Sequence, residues 1–214
     1  MSERILVFIP MYRCEAQISR VLASFTPDIR PRFAELLLVD NRSPDRTLDA
    51  ARQAMDNLGD LPVTLVRNTE NYSLGGSHKV AFAYALAHGF DYVTVLHGDD
   101  QGDIRDLVPH LTTGRHRTLG SLLGSRFARG SRLKGYSRFR TWGNVAYNLM
   151  ISAVTRTWIT DMGAGLNIYA TNYLRDGFWR FFPNDLTFNV FLLYHSIWSR
   201  SRFAFFPLSW REED

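Results

Sequence analysis

The sequence predicts an α/β fold with a mostly parallel, Rossmann-like sheet flanked by helices. Three observations carry that expectation. Apolar runs of strand length recur at residues 5–9, 35–39, 62–66 and 91–96. Segments with helical spacing of apolar residues separate them, as at 15–25 and 77–88. Polar clusters fall at the ends of three runs, at 10–13, 40–45 and 97–103. Runs without strict alternation read as strands buried on both faces, and their alternation with helices implies βαβ units.

Taken in order, residues 5–9 form an apolar β run stopped by Pro10. Ile18, Val21, Leu22 and Phe25 then share one face of a helix. The second run ends in Asp40-Asn41-Arg42-Ser43-Pro44-Asp45, turn chemistry with Ser43 expected as N-cap and Pro44 at the first helical position. After the third run, Gly75-Gly76 opens a helical segment over 77–88, and this glycine-rich turn could bring backbone amides to a phosphate. It is not a P-loop, and no G-x-G-x-x-G follows the first strand.

The fourth run ends in His97-Gly98-Asp99-Asp100-Gln101-Gly102-Asp103. In open α/β sheets ligands bind beyond the carboxyl ends of the strands, so these acidic groups and the other two clusters converge on one edge. Asp99, Asp100, Gln101 and Asp103 offer hard oxygen ligands suited to Mg²⁺ or Mn²⁺. The plainer reading makes Asp103 the N-cap of the helix that follows.

Composition sets bounds. The chain has 214 residues, 45% hydrophobic and 14% aromatic, enough for one packed domain and too apolar for disorder. Its formal net charge is +4, and apart from Lys79 and Lys134 its 25 cations are arginines, the residue suited to bidentate phosphate pairing. One cysteine, Cys14, excludes an internal disulfide and fits a reducing compartment. Residues 1–4 lead directly into a strand, and no apolar run has the length of a membrane span.

Phe8-Ile9-Pro10-Met11-Tyr12, residues 39–47, residues 96–101 and Gly124-Ser125-Arg126-Phe127 stand in the order seen in family 2 glycosyltransferases. The chain most resembles the branch containing dolichol- and polyprenol-phosphate sugar synthases. The resemblance implies a GT-A fold and inverting, divalent-metal-dependent transfer of a sugar from a nucleotide diphosphate. It implies that Pro10, Tyr12, Asp40, Asn41 and Gly75 bind the nucleotide, and that Asp99 and Gln101, with His97, hold Mn²⁺ or Mg²⁺. His97 stands where the family carries an aspartate, which lowers the ligand charge and suits Mg²⁺ less well.

Between Asp106 and Asp161 there is no acidic residue, while nine Arg or Lys lie in that interval. Such a field suits a phosphate or an anionic membrane surface. By resemblance, Arg126, Arg138 and Arg140 contact an acceptor phosphate, Arg126 and Asp99 are catalytic, and Asp161 is the candidate base or acceptor-orienting carboxylate. Residues 143–158 read as an amphipathic helix whose stripe, Val145, Ala146, Leu149, Met150, Ala153 and Val154, is expected to pack on the core. Trp142 and Trp158 with basic neighbours mark the membrane-facing alternative. In residues 186–191 the acidic residue of many relatives is missing.

The expected whole is a single domain, 1–114 binding nucleotide-sugar and metal and 115–214 binding the acceptor, with a shortened C-terminus. A polyprenyl or dolichyl phosphate is the expected acceptor, a saccharide hydroxyl the alternative. Nucleic acid is not an expected partner, and the expected location is cytoplasmic, peripheral on the membrane face. A nucleotidyltransferase would need a basic glycine-rich loop after the first strand, which residues 10–13 are not. A non-catalytic nucleotide-sugar or anionic-lipid binding module is the remaining alternative.

Overall fold

The structure, a computed structural model, describes residues 3–212. The expected α/β architecture is present. Strands β1 (Ile5–Met11), β2 (Glu35–Asp40), β3 (Val63–Arg67) and β4 (Tyr92–Leu96) alternate with helices α1 (Ile18–Ala23), α2 (Thr47–Met55) and α3 (Ser73–Ala87). Then come α4 (Val108–Thr112), β5 (Ser121–Ser125), β6 (Arg132–Lys134), α5 (Arg138–Thr155), β7 (Leu166–Ala170), α6 (Thr171–Leu174) and α7 (Phe188–Trp198). Strands β8 (Phe203–Pro207) and β9 (Ser209–Arg211) end the described chain. The main sheet has the order β3-β2-β1-β4-β7-β5-β8, parallel except for β7, which runs antiparallel to β4 and β5.

Burial on both faces explains the continuous apolar runs. Ile5, Val7, Ile9 and Met11 of β1 face a core shared with α1 and α2. Leu6 and Phe8 face the opposite core with Ala81, Phe82 and Ala85 of α3 and Phe188 and Leu192 of α7. The first strand does not stop at Pro10. Pairing with β4 ends at Phe8, and beyond it the Pro10 carbonyl accepts from Gly98 N–H, so the missing proline donor falls past that ladder.

Three helix starts differ from expectation. Ser43 does not cap α2: its N–H donates to Asp40 Oδ1, its hydroxyl accepts from Arg13 N–H, and Asp45 accepts from Thr47. Helix α3 begins at Ser73, with Asn71 Oδ1 accepting from Ser73 N–H, so Gly75 and Gly76 lie inside its first turns. Helix α5 begins at Arg138, with Ser137 as N-cap. Its expected packing stripe is a correction: of its residues Asn148 alone is buried, and Leu149, Met150 and Val154 are 49%, 53% and 76% exposed. Phe139, Trp142 and Trp158 are also exposed.

A second ribbon pairs β6 with β9 in parallel. It fastens the two halves of the sheet edge, because Asp106 accepts from Ser209 N–H and Arg211 reaches the loop after β4. Residues 213 and 214, at the C-terminus expected above to be shortened, lie outside the described residues.

Candidate active site

The carboxyl ends of β1, β2 and β4 open on one cavity of about 340 Å³. Pro10, Met11, Tyr12 and Cys14 line it from β1, Asn41 from β2, and His97, Gly98 and Asp99 from β4. Ser73, Leu74 and Ser77 add the N-terminal turns of α3, and Asp185 and Leu186 close the far rim. Pro10, Tyr12, Asn41, His97 and Asp99 are therefore brought together as expected. Buried Cys14 has its thiol pushed up to about 12 by burial, so it packs rather than reacts.

An amide network sets one wall of the cavity. Asn41 Nδ2 donates to Asn71 Oδ1 at 2.8 Å, and Asn41 Oδ1 accepts from Asn68 Nδ2 and from Tyr72 N–H. Asn71 thereby joins the start of α3 to the end of β2. Asp40 does not line the cavity, contrary to expectation. It is fully buried, accepts from Ser43 N–H, and its Oδ2 lies 3.0 Å from Arg67 Nε. A buried carboxylate needs that cation.

Gly75 is a second correction. Its N–H donates to Asn184 O, and a Cβ there would stand 2.6 Å from Pro183 O. The glycine serves close passage of residues 183–184, not a phosphate. The contact has a consequence at the rim, since it carries Asp185 into the cavity. Asp185 is thus an acidic residue in the place where none was expected from 186–191. Its carboxylate accepts from Thr187, which holds its pKa below the usual range.

At the metal side, His97 Nδ1 and Asp99 Oδ2 lie 4.0 Å apart. The His97 ring lies against Gly165, where a Cβ would be 2.9 Å from Cγ and Nδ1. Burial lowers the His97 pKa, with Asp99 opposing, so the imidazole is neutral and can offer a lone pair. Asp100 is not a ligand. Buried and at φ 60°, it pairs with Arg20 at 2.8 Å and Arg211 at 2.7 Å. Gln101 does not line the cavity; its N–H donates to Asp99 Oδ1 and its carbonyl accepts from Arg211 N–H. Asp103 caps the turn after it and pairs with Arg105. Among the described residues no three His, Cys, Asp or Glu could together hold a metal. The chain's donors would offer a divalent ion one imidazole, from His97, and one carboxylate, from Asp99.

Arg126 and Asp161 satisfy each other. Arg126 Nε and Nη2 each lie 2.8 Å from Asp161 oxygens, and Arg126 N–H and Gly163 N–H donate to the same carboxylate. Burial opposes the Arg126 cation, but the fork to Asp161 outweighs it and raises the arginine's pKa. Asp161 is buried and Arg126 partly so, and because each engages the other, Asp161 is not a free base and Arg126 is not a free phosphate ligand, which corrects both expectations. Arg126 and Arg140 both stack on Tyr136, and Arg140 pairs with Glu212. Arg138 is exposed on the first turn of α5.

A family profile described as "Glycosyl transferase family 2" matches residues 6–178. The undecaprenyl-phosphate mannosyltransferase of Micrococcus luteus is 28% identical over 177 residues, 80% of this chain and 68% of that protein. Among solved structures, glucosyl-3-phosphoglycerate synthase of Mycobacterium tuberculosis has a TM-score of 0.69 at 18% identity, over 99% of this chain and 73% of that one. The same synthase has been solved with Mn²⁺, uridine diphosphate and phosphoglyceric acid. S. aureus TarS, residues 1–349, has a TM-score of 0.63 at 19% identity, over 94% of this chain and 57% of that one. These structures share the fold.

Proposed function

The chain belongs to glycosyl transferase family 2, and on that premise we propose that it transfers a sugar, with inversion and with a divalent metal, from a nucleotide diphosphate to a polyprenyl phosphate at a membrane surface. The observation that carries this reading is the cavity in which the His97–Asp99 pair faces the N-terminal turns of α3. Ser73 and Gly75 N–H are already bonded, but the positive end of the α3 dipole favours negative charge, so α3 and the pair together suit a diphosphate. The exposed ring of Tyr12 and the Asn41–Asn71 wall suit the nucleoside.

His97 and Asp99 would hold the ion, and an imidazole–carboxylate set favours Mn²⁺ over Mg²⁺. When bound, the ion neutralises the charge that builds on the departing diphosphate. Burial favours the neutral form of His97, which adds no positive charge to repel the ion. Inversion follows if the acceptor attacks the anomeric carbon opposite the diphosphate.

The acceptor reading rests on three supports. The M. luteus relative is named for undecaprenyl phosphate. Asp161 is neutralised by Arg126, so the site offers little base there, and an ionised phosphate needs none. Helix α5 presents Phe139, Trp142, Leu149, Met150 and Val154 to solvent next to Arg138 and Arg140, a pattern that suits an anionic interface. No helix among the described residues is long and apolar enough to cross a membrane. Arg138 and Arg140 are the proposed contacts to the acceptor phosphate. One observation favours a second reading: Asp185 at the cavity rim could serve as base toward a saccharide hydroxyl.

Nucleotide-sugar panels with Mn²⁺ test the donor half. A donor that binds raises the melting temperature, and the rise vanishes with chelator or in Asp99→Asn. Stabilisation that ignores both metal and Asp99 would refute the metal assignment.

A further inference from the structure

His78 plays no part in the reading so far, yet it is the most unusual polar group in the core. It is fully buried on α3, with the rings of Phe8, Phe82, Phe188 and His97 around it. Its Nδ1 lies 2.9 Å from Leu74 O. A carbonyl can only accept, so Nδ1 carries the proton and Nε2 carries a lone pair. That Nε2 is buried without a protein partner.

His97 has the complementary deficit. Its Nδ1 side faces Asp99 and its Nε2 is buried without a protein partner. The two rings stand 6.4 Å apart at 77°. That separation is longer than a direct ring-to-ring N–H···N bond and suits one water bonded to both. Two orphaned nitrogens on neighbouring buried rings would be costly unless one donates and the other accepts.

We propose that His78 is a positioning residue: one water accepts the His97 Nε2–H and donates to the His78 Nε2, which keeps the His97 Nδ1 lone pair on the side of Asp99 as the second metal ligand. This rests on the metal reading above. The hydrogen-bond chain runs from Leu74 O through His78 to His97, so α3, which also presents its N-terminus to the cavity, sets the tautomer of the ligand. A metal-ligating histidine ordinarily has its other ring nitrogen fixed in this way. Gly165 completes the seat, since a side chain there would meet the His97 ring at 2.9 Å.

The test uses the full chain labelled with ¹⁵N-histidine and long-range ¹H–¹⁵N spectra that distinguish the two neutral tautomers, with His97→Gln and His78→Phe assigning the signals. Without metal, wild-type His97 is expected as the Nε2–H tautomer and His78 as Nδ1–H. In His78→Phe, His97 becomes a tautomer mixture, and Mn²⁺ affinity read by electron paramagnetic resonance falls roughly ten- to a hundredfold. His78→Gln, which returns a side-chain acceptor, recovers most of it. A wild-type His97 in the Nδ1–H tautomer overturns the proposal even if no variant folds, as does a His97 tautomer indifferent to His78→Phe. A locked tautomer whose signals Mn²⁺ fails to broaden leaves the lock standing and refutes the metal reading instead.

Discussion

Asp99 has a side chain 45% exposed and its own loop contact is to Gln101 N–H, so it contributes little to the core. Asp99→Asn keeps that acceptor and removes the charge. Transfer should fall by at least about a hundredfold, while stability stays within roughly 0.5 kcal/mol. Paired kinetics and denaturant melts check it, and near-normal turnover would sink the metal role. Arg126 and Asp161 behave oppositely. Breaking one side of a buried ion pair strands the other charge, so Arg126→Ala should cost about 3–5 kcal/mol, read by denaturant titration. A loss below about 1 kcal/mol would mean that the pair opens readily, as a direct acceptor contact would require. Asp99, His97, Tyr12 and Asn41 were legible in the sequence because strand-end positions follow from the fold class. The preoccupation of Asp40, Asp100 and Asp161 was not, because each partner (Arg67, Arg211, Arg126) lies 27 to 111 residues away in sequence.

The strands could be read because each is buried on both faces and therefore uniformly apolar. The start of α3 could not, because Asn71 and the distant residues 183–184 decide it. That contact makes Gly75→Ala a sharp probe of the element. The added methyl must displace backbone at 2.6 Å, at a cost of about 1–3 kcal/mol, and should move Asp185 and Leu186 off the rim. The expected outcome is a lowered melting temperature with weakened donor binding; a stable variant with unchanged donor affinity would separate rim and helix. Helix α5 was misjudged for a different reason. An apolar stripe has the same spacing whether it meets a core or a bilayer, and only the tertiary fold shows that Leu149, Met150 and Val154 are exposed. If the stripe meets lipid, Phe139→Ala should reduce binding to anionic vesicles by roughly tenfold, with donor-induced stabilisation unchanged. Equal co-sedimentation of the variant and the wild type would remove α5 from the interface.

At the scale of the molecule, the proposed donor and acceptor elements sit at one edge of a single sheet, joined by residues 161–165. One end of that segment binds Arg126 and the other packs on His97. The β6–β9 ribbon adds a second tie, from the arginine-rich stretch before α5 to the loop holding Asp99. An enzyme built this way should bring a charged acceptor to a metal-bound donor without needing a strong base between them. The direct measurement is transfer from a labelled nucleotide-sugar panel, with Mn²⁺, to polyprenyl phosphate in vesicles or to soluble saccharides in the same tube. The account predicts label in the lipid phase, abolished by chelator and by Asp99→Asn and weakened by Arg138→Lys. Label found only on a soluble saccharide, and lost in Asp185→Asn, would contradict it.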